Sequence, residues 1–298
     1  MRSEINPAGV REAYLRSLNQ CFPGWGDENK YAWYFEPRAD APPPDLLVVW
    51  NGAQLAAGTG LTYRTLRGPD DDTRLAAILT GSWTDPAFRG QWLFTRLVEE
   101  SRDHARTLGY DHLLAFVRNE NPSMKGLLRA GARLIPAFYL RGGSQGAGKD
   151  GRLLSAALPP KSFATAWSRF RKRGANSFRF AYNDASSFGA QFFARHSETV
   201  ELSDDRGGLA IVQNEGLQTH LLFVDAGDED PAAAVSLLNA LQGYALQQGR
   251  TLMLFTTEEN WRAAGSSAGL AETPGSLAVL TDRPWIDGTW TVSGGDRA

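Results

Sequence analysis

Residues 75–94 read Leu75-Ala76-Ala77-Ile78-Leu79-Thr80-Gly81-Ser82-Trp83-Thr84-Asp85-Pro86-Ala87-Phe88-Arg89-Gly90-Gln91-Trp92-Leu93-Phe94, and the fold turns on how this stretch is read. Its opening apolar run predicts a strand over 75–83. Pro86 marks its end, because proline cannot donate to a ladder and disfavours helical backbone at the residue before it. From Leu93 the apolar residues Leu97, Val98, Ala105 and Leu108 follow at helical spacing, and Gly109 closes the helix. A strand that feeds a helix through such a turn leaves free backbone N–H groups at the helix start, where the macrodipole favours an anion. The stretch reads as a site for a phosphate-bearing cofactor.

Working outward, 112–117 is the next strand, 123–130 a short helix stopped at Gly131, and 133–141 a further strand. Upstream, 10–18 has helical spacing and is broken by Phe22-Pro23-Gly24-Trp25-Gly26. A buried strand over 45–50 meets the hairpin signal Asn51-Gly52 and returns over 54–63. The chain is expected to begin helix, strand, strand. Residues 142–151 hold five glycines in ten positions and read as a flexible connector. A strand over 153–158 would close the first domain and put the linker near Lys161.

The second half repeats the plan. Strands over 209–213 and 220–224, a helix over 231–248 opening at Pro231, a strand over 251–255, a helix over 259–268 ended by Gly269 and a strand over 277–280 reproduce the order. This is an internal duplication whose second copy lacks the Arg-Gly turn. At 298 residues the chain has room for two domains, placed at 1–158 and 159–298.

Composition narrows the function classes. Lys plus Arg at 31 against Asp plus Glu at 33 gives a net charge of −2, so nothing advertises nucleic acid or an acidic membrane surface. Cys21 is the only cysteine, which rules out an intramolecular disulfide, and no Cys/His cluster has metal-ligand spacing. A cytoplasmic protein without metal is expected.

The run Thr84-Asp85-Pro86-Ala87-Phe88-Arg89-Gly90-Gln91-Trp92-Leu93-Phe94, followed by Leu97, resembles the acetyl-CoA signature of the Gcn5-related N-acetyltransferases (GNAT). Asn121-Pro122-Ser123 through Leu127 to Gly131 is similar to that family's second motif. The resemblance implies an α/β fold of two tandem GNAT-like modules, each a mixed, mostly antiparallel twisted sheet flanked by helices, the second degenerate. It implies acetyl-CoA held by Trp83, Thr84, Arg89, Gly90, Gln91, Trp92, Leu93, Phe94 and Thr95, with Asn121 and Ser123 near the pantetheine. The acetyl group would pass to an amine of a small metabolite or sugar.

The sequence departs from the family pattern at three positions. Trp92 stands where the family has Gly, Phe94 where it has Gly or Ala, and Leu127 where many members carry a proton-donating Tyr. No catalytic acid or base is identified; Asp85 and Tyr139 are the candidates, each with an ordinary structural reading as turn starter or packed strand residue. The aromatics Trp25, Tyr31, Trp33, Tyr34 and Phe35 read equally as acceptor pocket, core or seam. Two functions stand at this point: an N-acyltransferase working by direct attack, and a non-catalytic module that binds a ligand or a protein partner.

Overall fold

The computed structural model describes residues 1–38, 41–143, 154–157, 164–174, 176–227, 230–283 and 288–297. In chain order the elements are β1 (Arg2–Ile5), α1 (Arg11–Cys21), α2 (Glu28–Phe35), β2 (Asp45–Asn51), β3 (Gln54–Arg67), β4 (Thr73–Thr84), α3 (Leu93–Thr107), β5 (His112–Arg118), α4 (Ser123–Arg129) and β6 (Arg133–Arg141). There follow β7 (Ser155–Ala157), α5 (Ala164–Lys172), β8 (Phe178–Ala181), α6 (Ala185–Phe192), β9 (Thr199–Ser203), β10 (Leu209–Glu215), β11 (Gln218–Asp225), α7 (Pro231–Gln247), β12 (Thr251–Thr256), α8 (Glu259–Ser267), β13 (Ala271–Thr281) and β14 (Trp290–Thr291). No described helix is long and apolar enough to cross a membrane.

The strands form one mixed sheet in the order β1-β2-β3-β4-β5-β13-β6-β12-β11-β10-β9-β7, with β8 on β3 and β14 on β8. Its centre has a pseudo-twofold plan. β4 runs parallel to β5 as β11 runs parallel to β12, and the last strand of each half is exchanged. β13 lies against β5, β6 lies against β12, and the two exchanged strands pair with each other from Arg133↔Val279 to Arg141↔Ala271.

Side-chain alternation along the strands divides the core into layers. Leu47, Ala77, Leu113 and Val117 pack beneath the stripe Leu93, Leu97, Val98 and Ala105 of α3, and Ala278 and Leu280 of β13 join them. Phe138 and Leu140 of β6 pack with Leu237, Leu241 and Trp261 of α7 and α8. On the opposite face, Tyr14 and Leu18 of α1 meet Val48, Phe35 and Trp83, and a second cluster gathers Phe170, Phe188 and Phe192 of α5 and α6 over Ile211 and Phe223. Each half therefore buries apolar side chains supplied by the other.

The predicted helices and strands of both repeats are present. β1, α2, α5, β8, α6, β9 and β14 were not predicted. The strand expected to close the first domain near 153–158 is corrected: β7 pairs with β9 at the far edge of the second half. The glycine-rich stretch beyond Gly143 and the linker position at Lys161 lie outside the described residues.

Because β6 and β13 belong to both cores, unfolding by urea is expected to follow one transition, with amides of β5 and β12 losing protection from hydrogen exchange together. A Cβ added at Gly275 of β13 would lie 2.8 Å from the Val117 carbonyl oxygen and 2.3 Å from the Tyr139 ring. Gly275→Ala should therefore destabilise both halves at once, by about 1–3 kcal/mol, the usual cost of overpacking. Separate transitions for the two halves would contradict this.

Candidate active site

β4 and β5 pair only from Ala76–Ile78 to His112–Leu114 and then part. Gly81 takes φ +58° and the β3–β4 register slips between Gly58 and Gly60, so β4 bends away from β5. The position requires glycine: a Cβ there would also lie 2.7 Å from the Phe35 ring. Tyr14 Oη donates to the Gly81 carbonyl at 3.2 Å and holds the bend from below. The facing edges of β4 beyond Ile78 and of β5 beyond Leu114 are left without strand partners.

The turn after β4 carries the chain to the head of α3. Asp85 Oδ1 accepts from the Ala87 amide at 2.8 Å and so starts a 3₁₀ turn over Pro86–Phe88, and Arg89 Nε donates to the Thr84 carbonyl at 3.3 Å. Gly90 at φ +79° and Trp92 at φ +61° then swing the backbone into the helix. Among the described residues, none of the six N–H groups from Gly90 to Thr95 donates a hydrogen bond; the next amide, of Arg96, donates to the Trp92 carbonyl at 3.0 Å. By contrast, α2, α6 and α7 are each capped by an aspartate, Asp27, Asp184 and Asp230. At α7, the counterpart of α3, the Asp230 carboxylate and Pro231 take the place an anion would use.

The residues expected to hold the cofactor divide by what they present. Arg89, Gly90 and Gln91 are exposed at the turn. Trp83, Leu93 and Thr95 turn buried side chains into the core, which leaves their backbone for binding. Trp92 is 63% exposed with the Arg129 guanidinium 3.5 Å over its ring, so its indole lies outside the turn. Phe94 fills the space beside Gly126 of α4, where a Cβ would approach it to 2.6 Å. Asn121 Oδ1 accepts from the Ser123 amide and hydroxyl at 3.0 and 2.9 Å, fixing the start of α4. Leu127 is 1% exposed and belongs to the core. Of the two catalytic candidates, Asp85 is spent on its turn, while Tyr139 lies in the wall of a large cavity.

That cavity measures about 1190 Å³ and runs through the sheet, since Ile78 with Leu79 and Phe116 with Val117 line it from both faces. β11 and β12 part after Leu221 and Leu254 just as β4 and β5 do, and Leu221, Leu222, Leu254 and Phe255 form its other wall. Its polar lining includes Lys30, Arg118, Arg195, Glu215, His220 and Arg297. Lys30 Nζ pairs with Glu215 Oε1 at 2.5 Å, and His196 Nε2 lies 3.7 Å from Glu215 Oε2. Burial outweighs the pull of Glu215 on both His196 and His220, and with the nearby cations pushes each down to about 4, so both are neutral at pH 7.

Some features singled out in the sequence have structural roles. Trp25 and Tyr34 line the cavity, Tyr31 and Phe35 are core around Tyr14, and Trp33 sits at a seam, donating from Nε1 to the Ala194 carbonyl at 2.9 Å. Arg169 donates to the Gly207 carbonyl and Arg173 pairs with Glu258. His104 and His112 bond Asp45 and Asp111. The cluster of Lys30, Glu215, His220 and Arg297 was not anticipated, because Lys30 and Arg297 lie far in the chain from the hairpin that carries Glu215 and His220.

Residues 11–132 match the model of the acetyltransferase (GNAT) family. No curated protein matches the chain. Among solved structures, a tandem GNAT protein from the clavulanic acid biosynthesis pathway is similar over 96% of this chain and 100% of its own, with 16% identity and a TM-score of 0.66. A GCN5-related N-acetyltransferase from Sphaerobacter thermophilus covers 97% and 98%, at 16% identity and a TM-score of 0.62. The N-myristoyltransferase of Saccharomyces cerevisiae with bound myristoyl-CoA covers 95% and 80%, at 11% identity and a TM-score of 0.66. At such identities the likeness is one of fold. The turn, the parted strands and the family match converge: residues 11–132 match the acetyltransferase (GNAT) family, and the whole chain shares the fold of a tandem GNAT protein.

Proposed function

We propose that the protein is an N-acetyltransferase that moves the acetyl group of acetyl-CoA to an amine on a small molecule. The observation that carries this reading is the set of six unengaged N–H groups from Gly90 to Thr95 at the head of α3, the helix that follows β4, whose parted edge at Ile78 to Gly81 lines the cavity. Several converging donors at a helix start suit a pyrophosphate, and the open edges of β4 and β5 suit the extended amides of pantetheine as they would a peptide. The thioester would then reach the cavity between the parted strands. The acceptor nitrogen forms the new C–N bond, the C–S bond breaks, the sulfur leaves as thiolate and takes up one proton, and the nitrogen gives one up.

The chain's own residues supply positioning and a proton acceptor. Leu127 cannot protonate the thiolate; Tyr34 and Tyr139 are the phenols of the cavity wall. His220 is neutral, its ring makes no hydrogen bond among the described residues and it lines the cavity, so it can receive the proton lost by the acceptor. An imidazole held near 4 is a weak base, and the acceptor must therefore arrive as the free amine.

Two outcomes test the proposal. Calorimetric titration should show acetyl-CoA binding at micromolar Kd, lost in Arg89→Glu/Gly90→Pro, since proline cannot adopt the positive φ of Gly90 and the carboxylate repels phosphate. Trp92→Gly should bind at least as tightly. Absence of binding to the unaltered protein would sink the acyltransferase reading in favour of a ligand or partner module.

The second outcome is the pH profile of kcat/KM for the acceptor. It should rise with unit slope to the pKa of the acceptor's own amine, with no inflection between pH 5 and 8, because His220 loses its proton near 4 and stays neutral above that. His220→Gln should lower kcat about 100-fold, the lower end of the range for general bases. An inflection near 6.5 that vanishes in His220→Gln would show that the imidazole titrates normally and would overturn this role.

A further inference from the structure

The second pair of parted strands is filled by the chain itself. Beyond β14, Ser293 bridges to Thr256 of β12, the Thr257 amide donates to the Val292 carbonyl at 3.3 Å, and the Val292 amide donates to Thr257 Oγ1 at 3.0 Å. Gly294 and Gly295 allow the backbone to press into the gap. A Cβ on the first would lie 2.3 Å from the Leu221 carbonyl oxygen, and on the second 2.1 Å from the Phe192 ring. The buried Asp296 carboxylate accepts from Ser293 N at 2.9 Å, Ser293 Oγ at 2.8 Å and Tyr182 Oη at 3.0 Å, which locks the segment in place. The slot that in the first half opens for an extended ligand is here occupied by protein backbone.

What this wedge delivers is Arg297. Its guanidinium stands at the pseudo-twofold centre, 5.8, 5.1 and 4.9 Å from the ring centres of Phe116, Tyr139 and Phe255, in the cavity wall between the two pairs of parted strands. Its Nε is buried and has no hydrogen-bond partner, and no described carboxylate pairs with it. Asp296 beside it is fully engaged elsewhere, and Glu215 is held by Lys30. A guanidinium whose Nε is buried without a partner is costly to leave so, and its planar fork matches a carboxylate bidentately.

We propose that the acceptor is an amine that also bears a carboxylate, an amino acid or similar amino carboxylate, and that Arg297 receives that carboxylate. This rests on the acetyltransferase reading above. A single free fork at the cavity centre suits a monoanion, and a cavity of about 1190 Å³ exceeds the usual range for one small ligand, leaving room for both the acyl arm and an acceptor. The three rings supply apolar contact for the carbon chain between the amine and the carboxylate.

The test uses the full chain with saturating acetyl-CoA, and follows calorimetric binding and thiol release for matched pairs: β-alanine against propylamine, γ-aminobutyrate against butylamine, and lysine against cadaverine. The expected result is at least tenfold tighter binding or lower KM for one or more amino carboxylates than for the partner lacking the carboxylate. Arg297→Gln should raise that value at least tenfold, Arg297→Lys should restore part of it, and the Kd for acetyl-CoA should stay within twofold in both. That last measurement also shows that the variants are folded. Equal use of both members of every pair, binding of none of the amino carboxylates, or an unchanged preference in Arg297→Gln overturns the inference while the acetyl-CoA titration stands. Failure of acetyl-CoA to bind the unaltered protein removes the parent reading instead.

Discussion

The antiparallel pairing of β6 with β13 is the contact on which the rest of this molecule depends. It places the last strand of each half inside the other half's sheet, so that β13 completes the layer under α3 and β6 completes the layer under α7. Neither half retains a full core without the other. The exchange also sets the site, because it brings the two pairs of parted strands to face one another across Tyr139 and Phe255, whose rings are 5.1 Å apart. The parted strands of the second copy form the wall of the cavity opposite those of the first.

Duplication supplied two equivalent slots, and local chemistry has driven them apart. At α3 the turn leaves six amides free and places Gly90 and Trp92 at positive φ, which holds the backbone donors in a concave arrangement. At α7 the side chain of Asp230 accepts from the Ala232 amide at 2.9 Å, and Pro231 has no amide hydrogen to give. An anion would meet a carboxylate there. The strand gap beside α7 is closed as well, by the backbone of Ser293 to Asp296. Two independent features thus shut one slot while the other stays open, and the closed one becomes a mount for side chains that face the open one.

How much of this could be read from the chain follows the range of the interactions. The strand ending at Pro86, the stripe Leu93, Leu97, Val98 and Ala105, and the closures at Gly109, Gly131 and Gly269 are local signals, set by backbone freedom and side-chain period within a few residues. They located both repeats and the turn at the head of α3. The exchange of β6 and β13 left no such mark, since a strand buried on both faces has the same apolar run whichever neighbour it takes. The strand near 155 was given to the wrong half because a three-residue edge strand carries too short a pattern to mark its neighbour. α5 and α6 were missed because their buried faces are carried by scattered aromatics such as Trp167, Phe170 and Phe188, with small or polar residues between them. His220 and Arg297 are 77 positions apart and share a cavity only because the wedge at Gly294 and Gly295 returns the chain to β11. In the sequence each is an isolated polar residue.

The departures from the family pattern are explained by exchange of volume and strain between neighbours. A left-handed backbone at Trp92 costs roughly 1–2 kcal/mol for a residue with a Cβ. The stacked Arg129 guanidinium offsets part of this through a cation–π contact, of order 0.5–1 kcal/mol at an exposed site. The turn that glycine would adopt freely is therefore kept, with the bulk directed outward. Phe94 occupies a position where the family keeps a small residue on α3, and the small residue is found across the helix interface as Gly126 of α4. One large and one small side chain fill the same space in the opposite order, and packing at native density tolerates such a swap when the total volume is conserved. Leu127 completes the same interface as an apolar core residue. Its burial belongs to the same packing of α4 against α3, so the apolar side chain at position 127 and the ring at position 94 are parts of one arrangement.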